Sequence, residues 1–166
     1  MTNFKKSLER AIGAICVTLF ALITVIGVWQ VASRFVFNNP AAWTEETLTY
    51  GFTWLALISF ALVTSKREHM RLTFVIEKFS QSTRVVIEVL TEIALLIFST
   101  AVFIYGGIAI MKLTMIQVTP ALQAPMGFFY GALPVTGVLM DIFCIINIAE
   151  LLSGKAQVDS SATEEA

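Results

Sequence analysis

Long runs free of Asp, Glu, Lys and Arg constrain this chain more than any other feature. They cover residues 11–33, 47–65 and 93–111, then 113–140 with a continuation past Asp141 to residue 149. A bilayer core about 30 Å thick takes roughly 20 apolar residues of helix at 1.5 Å per residue, so each run is long enough to cross. The last must be divided, because Pro120 and Pro125 would remove backbone hydrogen bonds inside a helix. A loop is therefore expected over residues 112–125, followed by a helix over 126–149 that Pro134 kinks. The expectation is an all-α membrane protein with four transmembrane helices, at about residues 11–33, 47–65, 89–111 and 126–149 of a membrane domain spanning 1–150.

Composition excludes the main competitors. With 57% hydrophobic and 14% charged residues, a soluble domain of 166 residues could not cover its apolar surface. A net charge of -1 argues against a nucleic-acid partner, and two cysteines argue against a disulfide-stapled module. The first run exceeds a signal-peptide core and lacks a small-residue cleavage site, so it is expected to stay in the product. Lys5, Lys6 and Arg10 precede the first span, and Arg34 alone lies between the first two. Lys66, Arg67, Arg71, Lys78 and Arg84 lie between the second and third, with Lys112 and Lys155 completing the eleven. The positive-inside rule then places both termini and the 66–84 segment in the cytoplasm. Within that segment Leu72, Val75, Ile76 and Phe79 follow helical spacing, which predicts a cytoplasmic amphipathic interfacial segment between spans two and three. The tail over 151–166 is polar and acidic toward its end and is expected to be disordered.

Few residues carry chemistry. Cys16 and Cys144 sit singly inside spans and read as packing residues, and His69 is the only histidine, so no metal or cofactor site and no enzyme is expected. Arg84, Glu88 and Glu92 recur every four residues and read as a solvated ion-pair face at the cytoplasmic boundary of span three. Asp141 lies inside span four and must face protein or water, which makes it the intramembrane candidate for a polar contact. Polar groups concentrate between the first two spans: Gln30, Arg34, Asn38, Asn39, Trp43, Thr44, Glu45 and Glu46. Asn38-Asn39-Pro40 signals a turn, Thr44 is placed to cap the next helix, and Glu45 and Glu46 suit its positive end. Arg34 is expected to pair with Glu45 or Glu46.

Arg34-Phe-Val-Phe-Asn-Asn-Pro40, then Trp43-Thr44-Glu45-Glu46, Trp54 and the basic segment with His69 resemble the small membrane subunit (DctQ type) of tripartite ATP-independent periplasmic (TRAP) transporters. Pro120-Ala-Leu-Gln-Ala-Pro125 and Tyr130-Gly-Ala-Leu-Pro134 look like the same family, over about residues 10–150. The resemblance implies a scaffold subunit in the bacterial inner membrane. Its partners would be a large multi-span subunit, a periplasmic substrate-binding protein reached through the assembled complex, and membrane lipids. The whole would import an organic acid, of the C4-dicarboxylate or sialic acid class, driven by sodium. On that reading Arg34, Asn38, Trp43, Glu45, Glu46 and Trp54 contact the partner subunit, while Lys66, Arg67, His69 and Arg71 face the cytoplasmic interface or lipid headgroups. The alternative is a self-contained proton-coupled exporter acting as a homodimer, for which Asp141 would be the accessible carboxylate.

Overall fold

The computed structural model describes residues 2–39, 41–66 and 81–153. Helix α1 runs Thr2–Phe35 and α2 runs Ala42–Ser65. The third rod is continuous but of mixed type: α3 over Gln81–Phe98, a π-helical stretch over Ser99–Gly106, and α4 over Gly107–Thr114. Short α5, Met126–Tyr130, leads into α6, Ala132–Leu152. Among the described residues four helices are long and apolar enough to cross a membrane: Asn3–Phe35, Ala42–Ser65, Val85–Thr114 and Met126–Leu152. Each is longer than the apolar run that predicts it, because helical hydrogen bonding continues through the polar flanks. The amphipathic segment, Arg67, His69, Arg71 and residues 154–166 lie outside the described residues, while Leu151 and Leu152, expected in the disordered tail, are the last residues of α6.

Inside an apolar helix a hydroxyl needs a local acceptor, and the helix's own backbone carbonyls supply one. Thr18, Thr24, Thr53 and Thr136 each donate to the carbonyl four residues earlier. At the end of α1 the chain reverses through Asn38, whose φ of 50° is a left-handed conformation that Asn tolerates, and Asn39 N–H closes back on Ser33 O at 3.0 Å. Thr44 does not cap α2. The helix starts three residues sooner than a Thr44 cap requires, with Ala41 at the cap position, so Thr44 is a buried first-turn residue whose hydroxyl donates to Ala41 O at 2.6 Å.

Helix α6 is the centre of the bundle. It packs against both α2 and the third rod, while α1 packs chiefly on α2. Met140, Phe143 and Cys144 are fully buried, and Phe143 forms a core cluster with Ile12 of α1 and Ile58 of α2, against which Cys16 and Trp54 also pack. Trp54 thus lies half-buried inside the chain's own packing. Two glycines set the approach of the third rod: a Cβ at Gly137 would lie 2.7 Å from Ile104 Cγ1, and one at Gly107 2.8 Å from Leu133 Cβ. Small residues let membrane helices approach backbone to backbone, where dispersion and weak polar contacts replace the missing hydrophobic drive. Ser99 Oγ exploits that closeness by donating to Gly137 O at 3.1 Å. The break in the last span falls at Gly131, one turn before Pro134, whose ring clashes with the carbonyl of residue 130 and lacks the N–H to bond it.

Candidate functional site

Polar side chains gather at both ends of the bundle and at one point midway. At the end holding the described termini, Asn147 of α6 is fully buried and joins all four long helices. Lys5 Nζ of α1 donates to Asn147 Oδ1 at 2.8 Å and to Glu150 Oε2 at 3.2 Å. Asn147 Nδ2 donates to Glu92 Oε1 of α3 at 3.0 Å and to the Thr64 carbonyl of α2 at 3.3 Å. Glu92 is only 3% exposed. It is therefore not part of a solvated face, contrary to its four-residue spacing from Glu88. The spacing fixes its side of the helix, and that side turns toward α6. Lys66, by contrast, is exposed at the end of α2.

At the opposite end Glu46 holds a loop. Its Oε1 accepts from Ala121 N–H and its Oε2 from Leu122 N–H, both at 2.9 Å. The loop that presents these amides is tight: Val118 and Pro125 form an isolated antiparallel bridge, Thr119 N–H donates to Ala124 O, and Gln123 takes a left-handed φ of 54°. Two successive N–H donors match the two oxygens of a carboxylate, and a charged acceptor strengthens both bonds. One turn further along α2, Tyr50 stacks on Phe129 of α5 with ring centroids 3.8 Å apart. No ion pair joins Arg34 to Glu45 or Glu46; the Arg34 guanidinium lies 5.7 Å over the Phe35 ring. Glu46 is held instead by the loop amides, and Glu45 is exposed. Arg34, Asn38, Trp43 and Glu45 are all exposed around this corner.

Midway, Thr100 Oγ1 donates to Asp141 Oδ2 at 2.9 Å across the contact between the third rod and α6, and Asp141 Oδ1 is enclosed without a hydrogen-bond partner among the described residues. The residues that sequence reasoning passed over are Asn147, Thr100 and Thr119. A lone amide in the apolar run after Asp141 was the available signal for Asn147, since a buried polar group in lipid demands a partner. The described residues bring together no group of three or more His, Cys, Asp or Glu.

Residues 23–154 match the family described as tripartite ATP-independent periplasmic transporters, DctQ component. The chain is 28% identical over 152 residues to the sialic acid TRAP transporter small permease protein SiaQ of Vibrio cholerae, covering 90% of this chain and 86% of that one. It is 24% identical over 148 residues to a Haemophilus influenzae chain named as a TRAP transporter small permease protein, covering 89% and 91%. A match of 26% over 142 residues to the sialic acid TRAP transporter permease protein SiaT of Haemophilus influenzae covers 83% of this chain but 22% of that longer one. These relatives are permease proteins of transporters and not enzymes. With four membrane-length helices and a family match across most of its length, the chain is a multi-pass membrane protein and belongs to the DctQ family, the small permease component of TRAP transporters.

Proposed function

We propose that this chain is the fixed scaffold beside a large multi-span permease subunit, in a sodium-driven transporter that receives an organic acid from a periplasmic binding protein. The observation that carries the reading is where its polar groups go. Glu46 and Asn147 are occupied in tying the chain's own helices and loop together, and so do not line a passage. A substrate carboxylate crossing hydrocarbon needs fixed donors, usually helix N-termini exposed by broken helices. Here the amides of Ala121 and Leu122 are already taken by Glu46.

The longer Haemophilus influenzae permease supports the partnership, since a segment similar to this chain makes up about a fifth of one continuous protein. The names of two relatives favour a sialic acid over a C4-dicarboxylate as substrate. The Lys and Arg distribution orients the Asn147 end and both termini to the cytoplasm and the Glu46 corner to the periplasm. Arg34, Asn38, Trp43 and Glu45, exposed there, face the large subunit. Lys66, Arg67, His69 and Arg71 meet its cytoplasmic edge or anionic headgroups. Reconstitution tests the reading: liposomes holding this chain alone take up no substrate, and uptake appears when the large subunit, the binding protein and a sodium gradient are supplied. Sodium-driven uptake by this chain alone, or full uptake without it, would overturn the proposal.

A further inference from the structure

We infer that the seam between the third rod and α6, centred on Thr100 and Asp141, is where one helix of the large permease subunit docks. That helix is apolar and carries a hydrogen-bond-donating side chain at its mid-depth. The inference rests on the scaffold reading above and names the face that reading requires.

Depth comes first. Thr100 lies at the middle of the span Val85–Thr114, and Asp141 lies eleven residues, or roughly 16 Å, from the Leu152 end of the last span. Both therefore sit near the bilayer centre, where a carboxyl group facing lipid is most unfavourable and acyl chains supply no donor. The pair also differs from the other polar positions in the spans. Exposed Thr18, Thr24 and Thr53 return their hydroxyl hydrogen to their own helix, which suits a lipid-facing site. Exposed Thr100 instead gives its hydrogen to Asp141 Oδ2. The lone pairs of Thr100 Oγ1 and Asp141 Oδ2 are thereby gathered at one point, on a residue pair of which Thr100 is exposed and Asp141 half-buried with its other oxygen, Oδ1, enclosed.

The surroundings define the occupant. Ile97 on the third rod and Val138 and Ile145 on α6 are exposed, at helical spacing of three and four residues from Thr100 and Asp141. The face is an apolar stripe with one acceptor point in its middle. A second copy of this chain docking by the same face about an axis normal to the membrane would set Asp141 against Asp141, acceptor against acceptor. A helix of another subunit with one donor at that depth is complementary.

The test uses the chain co-expressed with its large subunit in native membranes. A photo-crosslinking residue is placed in turn at Ile97, Val138 and Ile145, and at Val17 and Val25 on exposed positions of α1. Crosslinks to the large subunit are expected from the three seam positions and not from α1. Crosslinks from α1 alone, or seam crosslinks joining two copies of this chain, overturn the inference while the scaffold reading stands. If the unsubstituted chain does not retain the large subunit on purification, the scaffold reading fails and the inference with it. Asp141→Asn keeps an acceptor oxygen and should retain the large subunit within about twofold, whereas Asp141→Leu should lose about tenfold, the effect of one interhelical hydrogen bond. Full retention by Asp141→Leu would contradict the inference independently of the crosslinks.

Discussion

The two ends of the bundle are held by different chemistry. At the Asn147 end, side chains from distant parts of the chain meet one another: Lys5 and Asn147 are 142 residues apart, Glu92 and Asn147 are 55. At the Glu46 end one carboxylate meets backbone, closing a loop on α2. A buried node shared by four helices makes each helix dependent on the others. A carboxylate on two amides fixes a single loop and leaves Arg34, Trp43 and Glu45 around it open to a partner.

The difference is sharpest under substitution. Asn147→Leu should be the most damaging change, because it takes away the amide that joins half-buried Lys5 to buried Glu92, leaving Lys5 only its ion pair with Glu150. A loss of about 3 kcal/mol is expected in unfolding measured in detergent micelles. A loss below ~1 kcal/mol would show that the node does not unite the helices. Gly137→Ala acts between the two ends, forcing a methyl against Ile104 and Phe103, and should cost about 2 kcal/mol. Glu46→Ala should leave global unfolding less affected and instead loosen the loop. A cysteine introduced at exposed Gln123 should then react severalfold faster with a water-soluble maleimide, and unchanged labelling would remove the clamp from the account. Arg34→Ala should be the mildest for the isolated chain, within about 0.5 kcal/mol, since its guanidinium pairs with no carboxylate of the hairpin. Its effect should appear only as weaker retention of the large subunit.

The four spans could be read from the sequence because lipid tolerates so few charges that the gaps between them mark the helices. The π-helical stretch could not. Ser99–Gly106 carries no charge and no proline, and its residues fit an i−4 or an i−5 hydrogen-bond pattern equally well until α6 packs against it. The Glu46 corner was legible as a polar cluster but not in its wiring. Opposite charges pointed to Arg34, whereas Pro120 and Pro125 bound a loop whose amides give the carboxylate two aligned donors. Glu92 misled for a related reason: its spacing from Glu88 defines a helix face, but only the α6 partner Asn147 decides whether that face meets water.

The central claim is that this chain works as a fixed support, and one substitution tests it with little disturbance. Ser59 Oγ of α2 lies 3.6 Å from the sulfur of native Cys16 in α1, so Ser59→Cys brings two thiols near bonding reach across those helices. In proteoliposomes holding the complete transporter, a fixed support predicts the same sodium-driven uptake rate whether this crosslink is oxidised or reduced. Uptake that stops on oxidation and returns on reduction would contradict it, because transport would then require α1 and α2 to move against each other.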